Sequence, residues 1–116
     1  MSLKRVIEAL VSLGLSHTEA RIYVFLEKNG SHSDLDLSQA LKLHTKELVN
    51  SLKNLQNKKI VKASAQQTVK FSAVPFEKAI DLLIEVKKEQ AQSLQERKTE
   101  LLSSWQNMAK KNSENN

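Results

Sequence analysis

The middle of the chain, residues 41–70, reads LKLHTKELVNSLKNLQNKKIVKASAQQTVK. This basic segment contains seven lysines and one acidic residue, Glu47, so it carries a formal charge of +6. The formal charge is −1 before the segment and 0 after it, so the whole excess of +5 lies in about a quarter of the sequence. A charge concentrated in this way is typical of a surface that binds a polyanion rather than of a general aid to solubility.

The first half of the basic segment has a helical pattern. Its leucines recur at the spacing of one helix face, which predicts a helix over residues 44–58. A shorter helix at residues 37–41 precedes it, and a tight turn at residues 43–45 joins the two. Two helices joined in this way predict a helix-turn-helix, in which the second helix enters the major groove of DNA.

The second half of the basic segment is rich in β-forming residues. Residues 60–65 and 68–74 alternate in part and are separated by Gln66 and Gln67, which predicts a hairpin. A hairpin directly after a helix-turn-helix is a wing, here residues 60–74. Upstream, residues 31–36 predict either a very short strand or a turn.

Two further helices precede this region. Apolar residues at helical spacing predict a helix over residues 3–13, and Gly14 follows it where a helix end favours glycine. Ser16 and Glu19 have the spacing of a capping box, in which each side chain bonds the other's backbone amide. They therefore predict the start of a second helix over residues 17–28.

The chain beyond Pro75 predicts one long helix, since the next 35 residues contain neither glycine nor proline. Apolar residues recur there in steps of four and three, with Lys87 and Lys98 as polar interruptions, which is the pattern of a coiled coil. At about 1.5 Å per residue the helix extends roughly 50 Å, more than a small domain covers, so we expect a homodimer. The predicted interface consists of Ile80, Ile84, Ala91, Leu94, Leu101, Trp105 and Met108.

The predicted fold class is therefore mainly α with a small β-hairpin. A winged helix-turn-helix domain at residues 1–74 is expected to precede a long dimerisation helix at 75–110 and a disordered tail at 111–116. No arrangement of nucleophile, paired carboxylates or glycine-rich loop suggests an enzyme, and we expect no cofactor. The three histidines lack metal-ligand spacing, the chain has no cysteine, and no apolar run is long enough to span a membrane. These features predict a cytoplasmic, nucleoid-associated protein.

Three segments of the sequence resemble the DNA-binding region of the archaeal TrmB-type transcription regulators. They read LGLSxxEARIY at residues 13–23, LxxLxxKKIV at 52–61 and VPxxKAI at 74–80, and the first is the most specific. The resemblance covers residues 3–84. It implies a winged helix-turn-helix that binds duplex DNA as a dimer, followed by a coiled-coil helix.

The chain departs from that family at informative positions. Thr45 and Val49 stand where the family usually has arginine and tyrosine, and Lys59 stands where it usually has glycine before the wing. Larger family members carry a C-terminal sugar-binding domain, and this chain ends before one begins, so no small-molecule effector is expected.

Ten residues of the basic segment are candidate contacts to double-stranded DNA. Asparagine pairs with adenine, and lysine contacts guanine or phosphate; the segment has no arginine, which favours phosphate contacts over sequence selectivity. The candidates are Thr45, Lys46, Asn50, Lys53, Asn54, Asn57, Lys58, Lys59, Lys62 and Lys70. The alternatives are an ordinary solvated helix face, a helix cap at Thr45, and wing lysines that prevent strand pairing.

A competing hypothesis assigns the chain a different class of function. The winged fold and the long helix would then form a protein-interaction module of a transcription complex, without direct contact to DNA. The lysines would in that case serve an acidic protein partner or solubility alone.

Overall fold

The computed structural model describes residues 2–114, with the side chains of residues 2–111. It confirms a mainly helical fold with a small antiparallel sheet. The helices are α1 (Leu3–Ser12), α2 (His17–Asn29), α3 (Asp34–Leu41), α4 (Thr45–Asn57) and α5 (Phe76–Glu114). The strands are β1 (His32–Ser33), β2 (Val61–Ala63) and β3 (Lys70–Ala73). The chain divides into two compact units, of which the first ends at Glu85 and the second begins at Val86; we call the first the winged-helix domain.

The predicted boundary between α1 and α2 is confirmed. Gly14 has a φ of 113°, and the amide of Leu15 donates to the carbonyl of Leu10 at 3.1 Å, as in a glycine-terminated helix end. At the start of α2 the amide of Glu19 donates to the Ser16 hydroxyl at 3.0 Å, and the amide of Ser16 donates to the Glu19 carboxylate at 3.2 Å. The capping box is therefore complete.

The three strands form one antiparallel sheet in the order β1-β3-β2. β1 settles the alternative at residues 31–36 in favour of a short strand, because it pairs His32 with Phe71. The strands of the wing are shorter than predicted, and residues 64–69 connect them rather than a turn at Gln66 and Gln67 alone. The loop closes at its base, where the amide of Ser64 donates to the carbonyl of Lys70 at 2.8 Å and the amide of Lys70 donates to the Ser64 hydroxyl at 2.9 Å.

The core of the winged-helix domain is aliphatic apart from Tyr23. Its fully buried side chains come from all four of the first helices, the wing and the start of α5. The Tyr23 hydroxyl donates to the carbonyl of Val74 at 2.6 Å and so joins α2 to the end of the wing. Burial raises the pKa of Tyr23, and the nearby charge of Glu27 raises it further, so the hydroxyl keeps its proton for this hydrogen bond.

The start of α5 belongs to the winged-helix domain. Ala79 and Leu83 are buried in its core, with 0% and 2% exposure, and Ile80 packs against the same core. Ile80 is only half-buried there, so its predicted place in a dimer interface stays a prediction. α5 also continues to Glu114, past the predicted end at residue 110, because nothing in its sequence breaks a helix; the remainder of the predicted tail, residues 115–116, lies outside the described residues.

Lys59 ends α4 in a conformation that favours glycine. Its φ is 66°, its amide donates to the carbonyl of Gln56 at 2.9 Å, and the amide of Ile60 donates to the carbonyl of Leu55 at 3.2 Å. These two bonds form a Schellman motif, in which the left-handed residue is usually glycine. The backbone here thus keeps the conformation for which the resembling family uses glycine, although the side chain is a lysine.

We predict that Lys59→Gly stabilises the chain by about 1 kcal/mol, because a left-handed conformation costs a residue with a Cβ roughly that much. Chemical denaturation followed by circular dichroism measures the free energy of unfolding. Lys62→Gly is a suitable contrast and is expected to destabilise, because Lys62 lies in β2, where glycine weakens a strand. A Lys59→Gly variant no more stable than the wild type would contradict the prediction.

Candidate nucleic-acid interface

The orientation of α4 decides which side chains of the basic segment are available to a ligand. Leu48, Leu52 and Leu55 are buried against the core, so the opposite face of the helix meets solvent. Four exposed side chains share that face: Lys46, Asn50, Lys53 and Asn57. We call this set the α4 face; it combines two positive charges with two amides and contains no acidic residue.

The single acid of the basic segment is turned away from the α4 face. The Thr18 hydroxyl at the start of α2 donates to the Glu47 carboxylate at 2.7 Å. Glu47 lies in the first turn of α4, where a negative charge interacts favourably with the helix dipole. The contact therefore keeps the charge of the α4 face positive and joins the starts of α2 and α4.

A buried carboxylate makes the second connection between α2 and α4. Glu19 is 5% exposed, and besides the Ser16 amide its oxygens accept hydrogen bonds from Asn54 Nδ2 at 3.0 Å and Lys58 Nζ at 3.2 Å. The bond from Lys58 is also an ion pair between side chains with 31% and 6% exposure. Glu19 thus connects the cap of α2 to the C-terminal half of α4.

These contacts give Asn54 and Lys58 a role inside the domain. Both are candidate DNA contacts, and their polar ends also hold Glu19; their contact with DNA stays a prediction. A helix turns by about 100° per residue, so Asn54 and Lys58, four residues apart, share a flank of α4, and Asn54 also lies beside Asn50 and Asn57 of the α4 face. That flank was readable from the sequence; that a carboxylate of α2 lies beside it was not.

The environment of Glu19 favours its charged form. Burial alone would raise the pKa of the carboxyl, but hydrogen bonds from Asn54, the Ser16 amide and Lys58, together with the charge of Lys58, hold the pKa below its usual value. The carboxylate therefore stays ionised and paired at neutral pH, and its contribution to stability depends on that charge.

The other candidates lie outside the α4 face. Lys59, Lys62 and Lys70 are exposed at the end of α4 and on the wing. Thr45 is exposed in the first turn of α4, and the alternative of a cap at Thr45 does not hold, because the cap residue is His44, whose side chain makes no capping bond. Among the described residues there is no cluster of side chains able to hold a metal ion and no helix long and apolar enough to cross a membrane.

Comparison with known families identifies the chain. The family described as "Sugar-specific transcriptional regulator TrmB" matches residues 10–77, more than half of the sequence. The chain belongs to the TrmB family. The TrmB match covers α2, the helix-turn-helix and the wing, so it includes the α4 face and the Glu19 site, and it confirms the family suggested by the three sequence segments.

Solved structures similar to this TrmB-family chain support the winged-helix fold. TrmBL2, described as an archaeal chromatin protein with a novel mode of DNA binding, has a TM-score of 0.76 and 23% identity over 90% of this chain and 40% of that one. A possible transcriptional regulator from Methanosarcina mazei Go1 has a TM-score of 0.62 and 18% identity, with 86% and 88% of the two chains covered. ZitR of Lactococcus lactis, in complex with DNA, has a TM-score of 0.52 and 21% identity, with 75% and 60% covered.

These identities show a shared fold. The chain spans about two fifths of the length of TrmBL2. None of the curated proteins with which the chain was compared matches it.

We predict that Glu19→Gln destabilises the chain by about 1 kcal/mol and Glu19→Ala by about 2 kcal/mol, because the amide keeps a weaker acceptor and alanine leaves Asn54 and Lys58 without one. The pH dependence follows from the lowered pKa. Stability from this group is complete above its ordinary pKa of 4.5 and is lost as the pH falls through the lower folded-state pKa, so the wild type should lose more stability than Glu19→Gln between about pH 5 and pH 2.

Denaturant unfolding at a series of pH values measures both effects. Glu8→Gln removes an exposed carboxylate from α1 and serves as the matched control, with an expected change within about 0.5 kcal/mol. Equal acid dependence in the wild type and Glu19→Gln would show that the carboxylate does not act in this way.

Proposed function

We propose that this chain is a dimeric transcription regulator that binds double-stranded DNA, with α4 in the major groove and the wing on the phosphate backbone or in the minor groove. The α4 face carries the proposal. It presents two lysines and two asparagines to solvent on the second helix of a helix-turn-helix, the position from which this fold reads DNA. Membership of a family of transcriptional regulators supports the same function.

The chemistry of the α4 face suggests how the DNA is read. Asn50 and Asn57 can each donate and accept a hydrogen bond at an adenine edge, which gives limited base preference. Lys46 and Lys53 hold phosphate or guanine as point charges without the fork of an arginine. We therefore expect binding that is weakly sequence-specific and steeply dependent on salt, as for other contacts dominated by phosphate.

The proposed dimer rests on the second unit of the chain. Every described side chain of this unit, from Val86 to Lys111, is exposed. Five of these side chains are large, apolar and at least half exposed. They are Leu94, Leu101, Leu102, Trp105 and Met108. Four of them share one helix face, and a second copy of α5 would remove it from water. Two paired copies would then present their α4 helices to half-sites separated by about one helical turn of DNA, roughly 34 Å, or a multiple of it.

We predict that Lys46→Ala combined with Lys53→Ala weakens binding to duplex DNA at least about tenfold at ~100 mM salt, and lowers the slope of log affinity against log salt by about 2 per protomer. Fluorescence anisotropy with a labelled duplex over a salt series measures both quantities.

Lys4→Ala combined with Lys28→Ala removes the same charge from exposed positions on α1 and α2, and it should leave binding nearly unchanged. Equal loss in the two double variants would mean that only net charge matters. If a pull-down with the wild-type chain recovers one stoichiometric protein and no DNA, the hypothesis of a protein-interaction module is favoured instead.

We predict that the wild type is a dimer at a protein concentration of tens of micromolar, which requires only a modest affinity. Leu101→Glu combined with Trp105→Glu should make it a monomer, because four buried carboxylates would face one another across the dimer interface. Light scattering coupled to gel filtration measures the mass. Thr99→Glu with Ser103→Glu adds the same charge to the opposite side of α5 and should remain a dimer. A monomeric wild type would remove the basis for paired recognition helices.

A further inference from the structure

Three lysines border a groove beside the end of α4, away from the α4 face. The groove has a volume of about 450 Å³ and is lined by Gln56, Lys59, Val61, Lys62, Lys78 and Leu82. We call it the lysine groove. Its size lies within the range of small-molecule sites, which is roughly 300–1,000 Å³. Lys78, at the start of α5, was not among the candidate DNA contacts.

The charge of the lysine groove is unbalanced. No acidic side chain of the described residues lines it. The one ion pair within residues 2–111 joins Lys58 to Glu19. Within that range no carboxylate lies within 4.0 Å of the ammonium groups of Lys59, Lys62 and Lys78. Three ammonium groups around one groove repel one another, and a bound anion relieves that repulsion.

The backbone at Lys59 supplies an independent argument. A lysine there is strained relative to glycine, since its φ is 66°. Strained backbone conformations cluster at functional sites and ligand clamps. Lys59 lines the groove, so the strained residue is also one of the three that concentrate positive charge there.

The shape of the groove separates it from the α4 face. Gln56 lies about 100° around the helix from Asn57, so the groove opens on another side of α4. Its apolar lining consists of Val61, which is only 2% exposed, and Leu82, which is half-buried. The accessible carbon atoms of Leu82 suit the carbon skeleton of an organic ligand, and Gln56 adds a neutral hydrogen-bonding group to the lining.

We propose that the lysine groove binds a phosphoryl group, with the organic part of a phosphate monoester resting on Leu82. A phosphate monoester carries a charge of about −1.5 to −2 at neutral pH and offers three acceptor oxygens. That charge balances three lysines better than a single carboxylate does. The phosphoryl group belongs either to a free small molecule or to a DNA strand passing the groove, and both sources share this chemistry. The proposal does not depend on α4 reading DNA.

The test is a titration of the chain of residues 1–116, without DNA, followed by the amide signals in NMR spectra. The probes are inorganic phosphate and phenyl phosphate, with sodium chloride added to keep the ionic strength constant. The largest shifts are expected at Lys59, Lys62 and Lys78. Phenyl phosphate should bind several-fold more tightly than inorganic phosphate because its ring contacts Leu82. Shifts spread evenly over all lysines, or no saturable shift, would overturn the proposal.

Single variants sharpen the result. Lys78→Gln, an exposed change on α5, and Lys59→Gly should each weaken phenyl phosphate binding at least about fivefold, whereas Lys4→Gln, an exposed change on α1, should change it less than twofold. Lys59→Gly is the most informative, since it should bind the phosphate more weakly while being more stable than the wild type. Equal binding by Lys59→Gly and the wild type would contradict the role given to Lys59.

A separate measurement on DNA identifies the source of the phosphoryl group. If Lys78→Gln lowers the salt slope of DNA binding by about 1 per protomer, a DNA strand occupies the groove. If DNA binding is unchanged while phenyl phosphate binding is lost, the ligand is a free phosphate monoester. Since the phosphate titration contains no DNA, its outcome stands apart from that of the DNA-binding experiments.

Discussion

The candidate interface depends on one buried carboxylate. Glu19 closes the capping box of α2 and at the same time accepts hydrogen bonds from Asn54 and Lys58 of α4. A buried charge is tolerated only where it is paired and hydrogen-bonded, and this one is satisfied by partners from both helices. Loss of the partners on either helix would leave the Glu19 carboxylate buried with too few hydrogen bonds, which is strongly destabilising. The contact between α2 and α4 is therefore costly to break.

That connection sets how the positive charge of the basic segment is distributed. The contact from Thr18 to Glu47 holds the start of α4, and Glu19 holds its C-terminal half. With both contacts on one flank and the leucines in the core, α4 has one rotation available, which turns Lys46 and Lys53 outward. The segment is therefore not one basic patch but three groups: the α4 face, the partners of Glu19, and the lysines of the wing and groove.

The ends of the helices in this region carry a cost in stability. Lys42 and Lys59 both have positive φ, at 54° and 66°, where glycine would be less strained. Lys42 ends α3 within the turn of the helix-turn-helix, and Lys59 lies between α4 and the wing. A chain selected for stability alone would be expected to place glycine at such positions. The two lysines add positive charge to the surface at the expense of backbone stability.

Much of the domain was predictable from local rules in the sequence. Gly14 and the pair Ser16 and Glu19 mark helix ends through contacts between residues three to five positions apart, and such contacts do not depend on the rest of the fold. The leucine spacing of α4 likewise located its buried side. The strands of the wing were placed less well, since the length of a hairpin depends on Phe71 pairing with both Ala63 and His32.

The sequence by itself determined the order of the elements, the family and the concentration of lysine between residues 41 and 70, because composition, spacing and capping are local properties. Only the tertiary structure decided which neighbours each lysine and asparagine has. Asn54 and Lys58 lie 35 and 39 positions from Glu19, and Lys78 meets Lys59 and Lys62 around the same groove only after α5 packs on the domain. Charges so far apart in the chain interact only after the core has brought their helices together, since electrostatic pairing acts through space over a few ångströms.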